Sequence, residues 1–149
     1  MLHHLSDLLH NHLIINSLAA WAAAQVLKTI IYAVAHKEWE WERLFGDGGM
    51  PSGHSATVTA LSVTAGVEYG LDSAPFAIAA ILAIVVMHDA MGVRLEAGKH
   101  AKALNELMNM VSSRDLTTDD KLKELLGHTP LQVCSGALLG LVMALLLSL

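Results

Sequence analysis

The apolar positions fall into four runs, residues 13–34, 56–71, 73–87 and 131–149, and almost all of the charge lies between them. A helix needs about 20 mostly apolar residues to cross a bilayer, within a range of about 17 to 25. The first and last runs meet that length outright. Lys28 is the only charge in the first, and the last has none. The middle two reach it by borrowing flanking residues: the second carries Glu68 near its far end, and the third runs on into His88 and Asp89. Nothing in the first or last run supplies a solvated face, which argues against a soluble helical bundle. Segment 94–127 has a different pattern. It mixes Leu104, Leu107, Met108 and Met110 with Lys102, Asn105 and Glu106. That predicts an amphipathic helix on the membrane surface, then a polar loop at 112–120 and a short helix ending at 126. The expected fold is all-α: one membrane-embedded domain over residues 1–149, with about four transmembrane helices and a cytoplasmic amphipathic helix.

Composition supports this reading. Of 149 residues, 54% are hydrophobic and 15% charged, and the mean hydropathy is +0.49. A soluble domain needs more charge to cover its surface, and a disordered chain is poor in apolar residues. Cys134 is the single cysteine, so there is no internal disulfide framework and no Cys-rich zinc site. A net charge of −5 excludes the basic footprint of a nucleic-acid binder. His3, His4, His10 and His12 precede the first run without any Lys or Arg, so a signal peptide's basic region is missing. These four read as a solvated terminus, not as metal ligands.

The nine basic residues set an expected orientation. With four spans, segments 35–55 and 94–130 share one side of the membrane, and together they hold eight of the nine. Lys28 lies in the adjoining half of the first span. Cytoplasmic loops are the ones enriched in Lys and Arg, so both long loops should be cytoplasmic and both termini outside.

The polar residues of chemical interest gather on that same side. Gly48-Gly49-Met50-Pro51-Ser52-Gly53-His54-Ser55 enters the second span, His88, Asp89 and Arg94 leave the third, and Gly127-His128-Thr129-Pro130 enters the fourth. Trp21, Gln25, Lys28 and Tyr32 are spaced 4, 3 and 4 apart, on one face of the first helix. Lys28 either snorkels to the interface or lines an internal site, and the polar stripe around it favours the latter. Pro51 and Ser52 suit the start of a helix. The free amides of Gly53, His54 and Ser55 would then form an anion site with His54 beside it. The fourth span repeats the pattern with His128 and Pro130. Two helix N-termini, two histidines and several cations on one membrane face point to phosphate chemistry.

These segments, with Asp-Ala-Met-Gly-Val-Arg (89–94), Leu-Gly-His-Thr-Pro-Leu-Gln-Val (126–133), Ala-Gln-Val-Leu-Lys (24–28) and Ala-Gly-Lys-His-Ala (97–101), resemble the divergent branch of the membrane type 2 phosphatidic acid phosphatases. The resemblance runs from about residue 13 to the end. That superfamily, which includes the vanadium haloperoxidases, is all-helical and uses a histidine nucleophile without a catalytic metal. The resemblance therefore implies no cofactor, a phosphorylated lipid head group as partner, and hydrolysis of a lipid phosphate or diphosphate that vanadate inhibits. It implies that Ser52 and the Gly53 amide bind phosphoryl oxygens and that His54 is the general acid for the leaving alcohol. His128 would attack phosphorus to form a phosphohistidine, which water activated by His54 hydrolyses. Lys28 would stabilise charge on the equatorial oxygens.

Three positions depart from the superfamily pattern, one of them the arginine of the first signature, which has no clear counterpart although Arg43 is in the right loop. Gln132 stands four residues after His128, where the superfamily has Asp, and Leu122 stands six before it, where the superfamily has Arg. Gln132 can accept a hydrogen bond from the ring but brings no charge. Arg94 and Lys99 are the candidate replacements for the cation and Asp89 for the carboxylate. Two other functional classes stay open: a phospholipid- or phosphate-binding membrane protein without turnover, and a small oligomeric transporter component using Lys28, Asp89 and Arg94. Gly66-x-x-x-Gly70 and Gly136-x-x-x-Gly140 suit close helix contact in lipid. They would also serve a homo-oligomer, although packing within the bundle fits better. Ser55, Thr57, Thr59, Ser62 and Thr64 read as packing and interhelical hydrogen-bonding residues. Glu68 and Asp72 read as solvated, and Cys134 as a small buried residue.

Overall fold

The computed structural model describes residues 9–44, 49–111, 122 and 127–148. Those residues are helical, with no strand among them. Helix α1 is His12–His36, and a single 3-10 turn, Trp41–Leu44, follows it. Then come α2 (Gly53–Tyr69), α3 (Ala74–Met91), α4 (Val93–Val111) and α5 (Pro130–Ser148). The starts are written in the sequence as caps. Asn11, Ser52 and Ser73 each accept the N–H of the residue three further on, satisfying one otherwise orphaned donor. Pro75 occupies the first turn of α3 and Pro130 opens α5, where a missing N–H costs nothing.

Helix α2 is the centre of the bundle, packed against α1, α3 and α5, while α1 also packs on α5. Helix α4 follows α3 after a break at Gly92 and rests on α3. The interior is built from small residues: Ala20, Ala24, Ala56, Ala60 and Ala144 are wholly buried and form the core cluster. The large side chains point the other way, with Ile78, Ile81, Leu138 and Leu146 among those widely exposed. A water-soluble protein has the opposite arrangement. A bundle in lipid gains nothing by hiding leucine, and close packing of small faces holds it together instead. A Cβ on Gly140 would stand 3.0 Å from both C and Cα of Ala56, and one on Gly136 would stand 3.0 Å from Ser55 Cβ. The 136/140 pair is thus the α5 seam against α2. Gly66 faces Leu71 and Phe76 at the α2–α3 turn, and Gly70 ends α2 at φ +90°.

Polar side chains tie the helices together from inside. Asn16 Nδ2 donates to Thr64 Oγ1 and to Ser148 Oγ, both at 3.2 Å, joining α1, α2 and α5 at one end. At that end His12 Nδ1 lies 2.6 Å from Glu68 Oε1.

The chain is therefore an integral membrane helical bundle, as the apolar runs lead one to expect. Three helices are long and apolar enough to cross a membrane by length and composition: α1, the one that begins at Ala74, and α5. Helix α2, at 17 residues and rich in Ser and Thr, completes the bundle at its centre. Enclosed by its neighbours, it needs no lipid-facing surface all round. Cys134 is exposed, because α5 turns Gly136 and Val133 inward and Cys134 outward. His12 and Glu68 are both exposed, as expected, and pair at the surface. His3, His4, the polar loop 112–120 and most of the short helix expected before 126 lie outside the described residues.

The lengths place the site. The last turn of α2 lies beside His12, and its first residue lies beside Trp21 and Gln25. The rest of α1, from residue 26 to 36, rises roughly 16 Å beyond α2 at 1.5 Å per residue. Two described residues of the following connection lie against it: Tyr32 donates to Glu40 Oε1 at 2.9 Å, and Gly49 sits on the Lys28 side chain.

Candidate functional site

Three helix ends meet below that overhang: the start of α2, the end of α3 and the start of α5. Two backbone hydrogen bonds lock them in register. Ser52 N–H donates to the Gln132 carbonyl at 3.0 Å, and His128 N–H donates to the Ala90 carbonyl at 2.9 Å. Ser52 is completely buried. Its hydroxyl oxygen accepts the Ser55 N–H at 3.3 Å and the Ser55 hydroxyl at 3.0 Å. The cap thus leaves the Gly53 and His54 amides as the outward donors of α2, and neither is hydrogen-bonded among the described residues. Those two carry the positive end of the helix dipole.

His128 follows Gly127, whose φ of +87° puts the turn in the region that glycine occupies without strain. The imidazole is buried, and its Nδ1 lies 3.3 Å from Gln132 Oε1. The same oxygen accepts the Thr129 N–H at 2.9 Å, while Gln132 N–H donates to Thr129 Oγ1 at 3.4 Å. Thr129-Pro130-Leu131-Gln132 is therefore a capping box. The box decides the chemistry of the ring. Only an oxygen can accept the Thr129 N–H, so the Gln132 amide orientation is set, and the tautomer of His128 that suits it is the one donating from Nδ1. In that tautomer the lone pair sits on Nε2. His54, exposed on the first turn of α2, places its ring centroid 6.4 Å from that of His128 at a 54° tilt. One small group can touch both rings.

The remaining candidate residues are distributed unevenly. Lys28 is buried on α1, with Cδ 3.0 Å from where a Cβ of Gly49 would stand. A side chain at 49 would displace it, and Gly49 also has φ +85°. Gln25 is buried one turn below Lys28, and Trp21 packs 3.4 Å from the Cβ position of Gly53. Asp89 is half-buried in the last turn of α3, next to the Ala90 carbonyl that holds His128. Lys99 is exposed on α4 and pairs with Glu96 at 2.6 Å. That ammonium holds the Glu96 carboxyl below its usual value by a hydrogen bond and by charge. Helix α4 includes Arg94, whose side chain lies outside what the structure describes.

A sequence profile of the divergent PAP2 family matches residues 9–143, from just before the cap of α1 to the fourth turn of α5. The chain belongs to the divergent PAP2 family. It is also similar to an uncharacterized membrane protein, YuiD, of Bacillus subtilis (strain 168). The two are 40% identical over 153 residues, which cover 95% of this chain and 97% of that protein. No solved structure matches the chain.

Within this divergent PAP2 protein, sequence reasoning had overlooked three contributors to the site. The Thr129 end of the capping box was legible, since a Thr three residues before a Gln at a helix start is its signature. Ala90 acts through its carbonyl, which no side-chain pattern reveals. Asn105 is buried, and its amide pairs with the backbone of Leu122 in both directions at 2.9 Å. It thereby ties the chain segment before His128 to α4.

Proposed function

We propose that this protein is a membrane phosphatase that hydrolyses a lipid phosphate or diphosphate through a phosphohistidine on His128. The observation that carries the reading is the paired placement of the two histidines. A buried His128, with Nδ1 held by Gln132, faces an exposed His54 on a helix start whose first amides point outward. In this mechanism the Gly53 and His54 amides, with Lys28 above them, draw charge from the phosphoryl oxygens. The Nε2 lone pair of His128 attacks phosphorus, and the bond from phosphorus to the lipid oxygen breaks. The His54 ring, protonated at the outset, gives its proton to that oxygen. In the second half a water molecule loses a proton to His54, its oxygen bonds to phosphorus, and the phosphorus–nitrogen bond breaks. Phosphate leaves and the ring of His128 is restored. Ser52 acts through the cap that aims the amides, and Asp89, beside Ala90, supplies the nearby carboxylate. The bias of basic residues puts this end of the bundle, and so the substrate, on the cytoplasmic side, with both termini outside.

A second reading, a phosphoryl-binding protein without turnover, is favoured by one feature. The amide of Gln132 orients His128 but brings no charge to stabilise an imidazolium. One experiment separates the two readings: phosphate release in detergent from a panel of lipid phosphates, with His128→Ala and His54→Ala beside wild type. Turnover that resists chelators, is blocked by orthovanadate and falls at least about 10²-fold in each variant is the expected result. Vanadate binding without turnover on any lipid would establish the second reading.

A further inference from the structure

Gln25 is the one large polar side chain at this site that the mechanism leaves unused, and it is the worst satisfied. It is only 8% exposed, and its Oε1 is fully buried with no hydrogen-bond partner among the described residues. An orphaned buried amide oxygen is destabilising. A packing position would be better filled by an apolar residue of the same length. The other end of the amide shows where the group is aimed. Nε2 lies 3.7 Å from the point a Cβ on Gly53 would occupy, so it stands directly over the start of α2. Gly53, lacking that carbon, leaves the space open. Lys28 follows three residues later on the same buried face.

We propose that Gln25 is a ligand-binding side chain: the third donor, beside the Gly53 and His54 amides, of a cradle for one phosphoryl oxygen. The class of ligand is a phosphate monoester or inorganic phosphate, which presents several acceptor oxygens to converging N–H groups. This inference rests on reading the site as a phosphoryl site, and it adds a residue outside the two histidine segments. It also implies a specific conflict between stability and binding. Removing the amide relieves an unsatisfied polar group while it weakens the cradle.

The test measures binding of inorganic phosphate and of orthovanadate to the full-length protein in detergent micelles by 31P and 51V line widths. Each variant's melting temperature is recorded alongside. Wild type is expected to bind both anions. Gln25→Met should bind at least about tenfold more weakly, with a melting temperature equal to or above that of wild type. Gln25→Glu, of equal size but anionic, should abolish binding. Gln25→Met that binds like wild type would overturn the assignment of Gln25 while leaving the phosphoryl site standing. Loss of the folded state in both variants would make Gln25 a packing residue and overturn it too. Wild type that binds neither anion would remove the phosphoryl reading and this inference together.

Discussion

The glycine seam between α2 and α5 offers the sharpest test of how the bundle holds the site. Gly140→Ala adds one carbon, which would first collide with the Ala56 carbonyl oxygen and also meet C and Cα of Ala56, both at 3.0 Å. Ordinary carbon–carbon contact is about 3.5–4.0 Å, so those two atoms alone require the seam to open by about 0.5 Å, and the oxygen requires more. The colliding atoms are main chain and have no rotamer to escape into. Overpacking of this kind costs about 1–3 kcal/mol, and rigid neighbours place it in the upper half of that range. Replacing glycine within a helix returns about 1 kcal/mol. The net expectation is a loss of about 1–2 kcal/mol. Gly136→Ala meets the same limit one turn nearer the site, 3.1 Å from the Ser52 carbonyl carbon and 3.0 Å from Ser55 Cβ. Ser52 is also the residue whose N–H is fixed to Gln132. A shift here therefore moves His54 relative to His128, and an ångström-scale misplacement can cost about 10²-fold in rate. Unfolding in a denaturing-detergent titration, followed by tryptophan fluorescence, reads the stability of both variants. Orthovanadate binding reads the geometry. Gly140→Ala should lose stability and keep most of its binding, whereas Gly136→Ala should lose both. If Gly136→Ala matched wild type in both measurements, the close-packed seam would not be what positions the site.

Two other substitutions probe the supports of His128. Gln132→Ala removes the capping-box acceptor and the partner of Nδ1, and should cost about 1 kcal/mol of stability together with vanadate binding. Gln132→Glu, which serves equally in a capping box, should restore the melting temperature, and failure to do so would refute the box. Asn105→Ala breaks both hydrogen bonds to Leu122 and should speed amide exchange at Leu122 by at least about tenfold, with the α2–α5 seam unchanged. Unaltered exchange at Leu122 would show that Asn105 does not hold the segment.

Much of the fold is legible in the pattern of apolar runs, and the parts that are not have definite causes. The ends of α2, α3 and α5 are legible because Ser52, Ser73, Pro75 and Pro130 carry their meaning locally. Helix α2 is the run least like a span by composition, because its Ser55, Ser62 and Thr64 are buried among the neighbouring helices and do not face lipid. Cys134 was misassigned because a run apolar all round gives no phase, and the phase of α5 is set by Gly136 and Gly140. At the site, His54 and His128 stood out by type and by motif. Nothing in the sequence showed that Lys99 would pair with Glu96, since an i, i+3 contact depends on the helical phase of α4.

The alanine core links these observations to the chemistry. Where Ala20, Ala24, Ala56 and Ala60 let backbones approach closely, the helices have few side-chain rotamers with which to adjust. A backbone hydrogen bond such as His128 N–H to Ala90 therefore fixes a ring as firmly as a side-chain clamp would. The departure at Gln132 is intelligible in that setting. Where a carboxylate would orient a histidine and also charge-stabilise it, the amide is shared between helix cap and ring, and orientation comes from the backbone lattice. In the proposed mechanism, charge stabilisation comes from the ligand side, from the Gly53 and His54 amides and from the polar face of α1. The polar face of α1 holds buried Gln25 and Lys28 above the site, and changes there should weigh on anion binding more than on folding.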